Sequence, residues 1–402
     1  DSVYTSVKDT SANWDSVYTS VLDTSANWDS VYTSVKDTSA SWDLGYSHLF
    51  NDFFDLQLNQ NLQKLTYGLT NLSTSSKYAG GVLTNKHLIY FIPHNSESVI
   101  ILNTLTDSAI LNNFGLTLTD TNKWTGGIFA KNNKIYTVPC DSSDILIIDT
   151  NTNSASRDNL GATFSGTSQW SGGVLAPNGK IYCIPSNATS VLIIDPETES
   201  ATTSTLGGVD LSGILKWSGG VLAPNGKIYA IPYNSTDILI IDPTDDTAIR
   251  SNLGATLSDT YKWMGGVLGS DGKIYAIPNN STDILIINPV TGSADRSNMN
   301  SSSLLGTDKW IGGILSNDNK IYGIPYDSPN ILVLDISNNK LSTTNFGQSI
   351  TDFNKCWGSV LGVDGNIYCP PFDSLNILKI TQNYVNSPLP IKRCVSAYYN
   401  KY

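Results

Sequence analysis

Apolar and polar positions in residues 216–251, KWSGGVLAPNGKIYAIPYNSTDILIIDPTDDTAIRS, fall into four short runs separated by turn-forming residues. The run GGVL leads into Pro-Asn-Gly, a tight-hairpin signal. IYAIP follows and ends in a Pro-x-Asn-Ser turn, where Pro fixes φ and the Asn side chain bonds nearby backbone. DILIID is continuously apolar, which predicts a strand covered on both faces. The last run, around Ile249 to Leu253, mixes polar and apolar residues as an outer edge strand does. The whole pattern occurs seven times. Counted from the Trp of KW, the copies start at Tyr78, Trp124, Trp170, Trp217, Trp263, Trp310 and Cys356, at intervals of 46 or 47 residues. In the last copy Cys356 takes the Trp position and Trp357 follows it.

No such unit can bury its own apolar faces, so seven of them predict an all-β, seven-bladed β-propeller. The Gly-Gly pair belongs on the innermost strand, where blades crowd the axis. The recurring Trp is expected between blades. The seventh copy supplies three strands before its sequence departs at Thr381, while residues 61–69, NLQKLTYGL, resemble a fourth run. They are expected to complete blade 7 and close the ring, giving a propeller over 61–380 and a surplus tail over 381–402.

Residues 1–43 carry a different repeat, DSVYTSVKDTSANW, with Trp14, Trp28 and Trp42 spaced by 14. Val3, Val7, Thr10 and Trp14 alternate spacings of four and three, the seam of a coiled coil. The composition has weak helix propensity, so an α-helical fibrous stalk would depend on association, and Trp in the seam favours a trimer. A β-fibre built on SVYTSV and a flexible linker are the alternatives. Residues 44–60 form the junction. The chain begins at Asp1 inside a repeat, which reads as part of a longer polypeptide.

Composition narrows the function. With 35 acidic against 24 basic residues the net charge is −11, which argues against nucleic acid as a partner. No apolar run is long enough for membrane insertion. No CxxC, HExxH, phosphate-loop or calcium-loop pattern occurs, and His48, His87 and His94 do not cluster. The chain is therefore expected not to be an enzyme and to carry no cofactor or metal. Cys140, Cys183, Cys356, Cys369 and Cys394 are scattered; Cys183 and Cys369 share one slot of the repeat and read as small buried side chains. Asn71, Asn187, Asn234, Asn280 and Asn300 head glycosylation sequons, which matter only on a eukaryotic secretory route.

Strand direction selects a face. The chain enters the ring through a fourth strand, so the KW loops and the Pro-x-Asx turns lie on the face away from the stalk. That face is expected to present Lys123, Lys216, Lys262, Lys309 and Lys355, with Lys77 and Gln169 at the same repeat position. It is also expected to present Asn95, Asp141, Asn187, Asn234, Asn280, Asp327 and Asp373, flanked by His94, Tyr233, Tyr326 and Phe372. Amides and rings there suit a sugar, and Lys suits an anionic group. The plainer alternative is that the Asx residues only shape turns and the Lys only solubilise a rim.

The copies resemble kelch-type propeller repeats in KIY and in Asp195-Pro-Glu-Thr, departing where Ile-Pro stands in place of the kelch Gly-Gly. WSGGVLAPNGKIY also resembles repeats in proteins of marine microalgae and their large viruses. SANWDSVYTSV resembles repeats in tail-fibre and structural proteins of marine viruses and phages. Together these resemblances imply an extracellular viral fibre or tail-fibre protein on a virion surface. Its homotrimeric stalk would join other virion proteins, and its propeller heads would bind a host-surface receptor, a glycan or a protein. The alternative is a non-catalytic structural or decoration protein of a virion or cell-surface appendage.

Overall fold

The computed structural model describes residues 61–69, 75–297, 299 and 304–381. The stalk repeats, the junction, the tail after Thr381 with Cys394, and the sequon residues Asn71 and Asn300 lie outside the described residues. The described chain forms seven four-stranded antiparallel sheets and no helix. This is a seven-bladed β-propeller.

Blade 4 shows how the sequence builds each unit. Its strands run from the axis outward as Trp217–Leu222, Ile228–Pro232, Ile238–Asp242 and Thr247–Ser251. The second and third are buried along their length, whereas the fourth alternates exposed and covered residues. Between neighbouring blades lie separate apolar cores. One packs Val221, Tyr229 and Ile231 of blade 4 against Trp263, Ile274 and Leu285 of blade 5. Large aromatics carry much of this burial, and Trp124, Trp170, Trp217 and Trp263 are almost wholly excluded from solvent. Cys183 and Cys369 are likewise fully buried.

The Gly-Gly pair has a specific duty. In each blade the inner hairpin slips register just after the Trp position, as between Trp217 and Gly220, and the first Gly sits at the slip with positive φ, +74° at Gly219. A Cβ on Gly219 would lie 3.2 Å from the Cα of Gly265 in the next blade. Gly265 meets Gly312 in the same way, Gly312 meets Gly358, and Gly358 meets Gly80. At Gly80, Gly172, Gly219, Gly265 and Gly312 a Cβ would press on the backbone of the next blade, whereas Gly126 has open space and Gly358 an ordinary contact. Gly219→Ala therefore combines backbone strain with a steric push, and is expected to lower stability by about 2 kcal/mol or more. A urea unfolding midpoint equal to wild type would contradict this.

The ring closes through the strand that precedes the first copy. Asn61–Leu65 pairs antiparallel with Ile377–Thr381, Asn61 opposite Thr381 and Leu65 opposite Ile377. Leu62 is buried in the core between blades 6 and 7. Because Asn61 and Thr381 are register partners, both ends of the ring lie on one face, here called lower. The KW loops and the Pro-x-Asx turns lie on the upper face.

Candidate functional site

Two columns of the repeat stand out on the upper face because they barely change from blade to blade, and both hold the frame together. The Asx column is a belt of latches. Asn234 Oδ1 accepts the backbone N–H of Tyr261 in the next blade at 2.7 Å, and Asn280 accepts that of Asp308 at 2.7 Å. Asn95, Asp141, Asn187 and Asp327 do the same for Asn122, Ser168, Leu215 and Asn354. Asp373 closes the circle on Ser76. The sequon residues Asn187, Asn234 and Asn280 are thus three members of this belt.

The Lys column departs from the expected exposed rim. None of Lys77, Lys123, Lys216, Lys262, Lys309 and Lys355 is more than 4% exposed. The stems of four of them bring Nζ to 5.7–6.0 Å from the centre of the adjoining Trp ring. Lys216 Nζ donates to the carbonyls of Ser186 (2.6 Å), Ala188 (3.0 Å) and Gly213 (3.0 Å), the first two in the preceding blade. Lys262 and Lys309 reach the preceding turn in the same way, through Tyr233 and Asn279. Lys355 reaches the carbonyls of Tyr326 and Asp352, and Lys123 that of Asp120. Burial pushes Lys123, Lys216, Lys262 and Lys309 down to about 8. Long amphipathic side chains bury their stems readily, and here the ammonium also finds carbonyl acceptors. Arg157, Arg250 and Arg296 cover the other side of three of these Trp rings at 5.3–5.5 Å.

Three other columns do change, and they converge on the axis. One lies two residues before the Trp position: Ser76, Asn122, Ser168, Leu215, Tyr261, Asp308 and Asn354. One lies directly after it: Ala79, Thr125, Ser171, Ser218, Met264, Ile311 and Trp357. One follows the Pro of the second strand: His94, Cys140, Ser186, Tyr233, Asn279, Tyr326 and Phe372. A hollow of about 80 Å³ opens at the upper mouth of the axis, room for the end group of a ligand and smaller than the roughly 300–1,000 Å³ of a whole small-ligand pocket. Ten of its eleven lining residues belong to these three columns; the other is Trp170.

The mouth is two-sided. Blades 2 to 4 give it small polar groups: Thr125, Ser171, Ser186 and Ser218. Ser171 and Ser218 hydroxyls bond each other at 3.0 Å, and Thr125 donates to the Trp170 carbonyl at 3.0 Å. Blade 7 and its neighbours give rings. Trp357 lies 5.0 Å from Phe372 and 6.4 Å from Tyr326, centre to centre. His94 packs on Trp357 and Phe372 at 6.0 and 5.9 Å. A further ring pair lies between blades 4 and 5, where Tyr233 meets Tyr261 edge-on at 5.2 Å. His94 Nδ1 lies 2.9 Å from the Trp124 carbonyl, which can only accept, so Nδ1 carries the proton. Burial lowers the basicity of His94.

Of the residues expected at a site, Tyr233 lines this mouth, and His94, Tyr326 and Phe372 pack against Trp357 beside it. The Lys and Asx residues stand behind it and are engaged with backbone. Trp357, Met264, Ser171 and Ser218 escaped the sequence reading. Their positions vary between copies, but so do the outer strands and the loops before each KW, so variation alone did not single them out. Among the described residues no group of three or more His, Cys, Asp or Glu could hold a metal ion.

No family model and no curated protein matches the sequence. Solved structures do resemble it. One is a catalytically inactive histidine-to-alanine variant of virginiamycin B lyase from Staphylococcus aureus with quinupristin. It shares 14% identity at a TM-score of 0.63, over 80% of this chain and 99% of the other. A second is the extracellular domain of a hybrid two-component system from B. thetaiotaomicron, with 14% identity and a TM-score of 0.62 over 82% of this chain and 44% of that one. A third is hydrazine synthase from Kuenenia stuttgartiensis, with 13% identity and a TM-score of 0.59 over 79% and 99%. At such identities the likeness is one of fold alone. The kelch and virus-fibre likenesses find no support in these structures. The expectation of a non-enzyme now stands beside enzymes that share the fold.

Proposed function

We propose that the chain is a recognition module whose upper axial mouth binds a surface-displayed ligand, with a sugar residue of a glycan as the class that fits best. One observation carries this reading. Seven units that keep their core and latch residues vary at three positions per unit that surround one hollow, besides their outer strands and the loops that follow them. The mouth offers rings for the apolar face of a sugar on one side and hydroxyls for its polar edge on the other. Attachment to a trimeric stalk would multiply a weak single-site affinity, and the setting of a viral fibre rests on the SANWDSVYTSV repeat. The experiment is a glycan array probed with the whole chain and with Trp357→Ala. Loss of the stacking ring is expected to weaken binding about 10-fold or more. A chain that binds nothing, or a variant that binds equally, would favour the decoration-protein alternative.

A second reading, a lyase site at the same mouth, draws on the fold likeness to virginiamycin B lyase and on His94, whose Nε2 is left as an acceptor nitrogen. Quinupristin incubated with the chain and followed by mass spectrometry separates the two. An unchanged compound is expected for a recognition module, and a time-dependent product that His94→Ala abolishes would establish the lyase.

A further inference from the structure

No Asp, Glu, Lys or Arg lines the hollow at the upper mouth, and the surface it shows is chiefly carbon. Two titratable groups stand in its wall, and both are neutral at pH 7. Burial pushes the Cys140 thiol up to about 12 and raises the Tyr233 phenol above its usual range. The ammonium groups of Lys216 and Lys262, in the loops behind, are turned to backbone carbonyls. A carboxylate or an ammonium entering here would give up its hydration without meeting an opposite charge.

The hydrogen-bonding groups of the wall are of two kinds. Thr125 commits its proton to the Trp170 carbonyl at 3.0 Å, so its oxygen is left to accept. Ser171 and Ser218 share one proton across 3.0 Å, and whichever donates, the other keeps its own proton for an outside acceptor. In the next blade the same repeat position holds Met264, an adaptable apolar side chain. Volume sets the size of what enters. A dry cavity of about 150 Å³ takes the six carbons of benzene, so one of about 80 Å³ has room for about three or four heavy atoms. We infer that the hollow takes the acetamido group of an N-acetylated sugar. That group has four heavy atoms and no charge. It brings a carbonyl for the Ser171–Ser218 pair, an N–H for Thr125 and a methyl for Met264 and Leu215. Trp357, in the same wall, is left for the face of the sugar ring. A hydroxymethyl end, the other uncharged group that sugars carry, offers two heavy atoms and no methyl. The inference deepens the recognition reading and rests on it.

The test uses saturation-transfer NMR and competition on the whole chain. The probes are N-acetylglucosamine, N-acetylgalactosamine and N-acetylmannosamine, each beside its free-amine and its parent hydroxyl sugar. At least one N-acetyl sugar is expected to bind about 10-fold tighter than both of its partners, the combined effect of a buried methyl and a hydrogen bond. Its acetyl methyl protons should receive the strongest saturation. Ser218→Met gives blade 4 the side chain that blade 5 carries at this position; it should fill the hollow and abolish the preference with the unfolding temperature unchanged. Ser171→Ala adds no bulk and decides the matter if the first variant melts early: it breaks the hydroxyl pair and should lower the preference too. Asp245→Asn, in a lower-face turn, should leave it intact. Equal binding within every set, no binding by any N-acetyl sugar, or a preference that survives both hollow variants overturns the acetamido inference. The recognition reading is judged apart, on the array: a bound glycan that lacks N-acetyl groups and that Trp357→Ala loses would keep that reading and sink this one.

Discussion

A chain shortened to begin at Ser75 is expected to lose its single cooperative thermal transition and to associate through blade 7. The strand removed supplies five register pairs to Ile377–Thr381. It also buries Leu62 in the core between blades 6 and 7 and pairs Lys64 with Asp352 at 3.5 Å. The ion pair is partly exposed and adds little. Loss of the leucine alone costs about 2–5 kcal/mol, and at this size each kcal/mol moves the midpoint by roughly 2–4 °C. The larger consequence is topological. Without its fourth strand the seventh sheet presents Ile377, Leu378 and Ile380 on an open edge, a template for pairing with another chain. Calorimetry beside light scattering checks this. A shortened chain that melts as sharply as the parent and stays monomeric would mean that the Asx belt and the glycine contacts hold the ring unaided.

The repeat made the fold legible because each blade's local signals agree with the global plan. Asn225-Gly226 turns the inner hairpin, Tyr229 fills the core, and Asp242 starts the turn to the outer strand by accepting the Thr244 N–H at 3.0 Å. Closure was legible too, through a four-strand pattern short by one strand at the end and long by one at the start. The exposure of the Lys column was misread for a physical reason. Lys216 and Asn234 recur in loops on the surface side of a turn, where Lys and Asn are ordinarily solvated. Sequence does not reveal that a neighbouring blade brings Ser186 and Ala188 carbonyls over Lys216, or the Tyr261 N–H onto Asn234. In a ring of copies, a residue that never changes is one that every interface needs. The residues that surround the axial mouth do change, such as Trp357 where Ser218 stands in blade 4. Trp357 was visible as a Trp displaced by one position, but only the structure shows that the displacement moves an indole from the inter-blade core to the mouth of the axis. The stalk repeats lie outside the described residues.

The same buried lysines make stability depend on pH in an unusual direction. Lys123, Lys216, Lys262 and Lys309 ionise in the folded chain at about 8, against about 10.4 when unfolded. Between those values the unfolded chain holds protons that the folded chain has released, so unfolding becomes harder as pH rises through that window. Each lysine contributes up to ~3 kcal/mol, since one pKa unit is worth about 1.4 kcal/mol. The gain has a ceiling near pH 10. Unfolded tyrosines ionise there, while burial holds Tyr233 and Tyr326 above that range and Tyr78 at about 12. The growing negative charge of a chain already at −11 opposes the gain as well. The unfolding midpoint is therefore expected to rise from pH 7.5 to a maximum between 9 and 10 and then to fall. Blade 3 supplies the control, because Gln169 fills the lysine slot with a neutral amide that donates to the Ser142 carbonyl at 3.4 Å. Lys262→Gln copies that arrangement, and should be more stable than wild type at pH 7.5 by a margin that falls to less than half at pH 9.5. A midpoint that declines steadily from pH 7.5, in both proteins alike, would show that the carbonyl cages hold these ammonium groups charged well past pH 8.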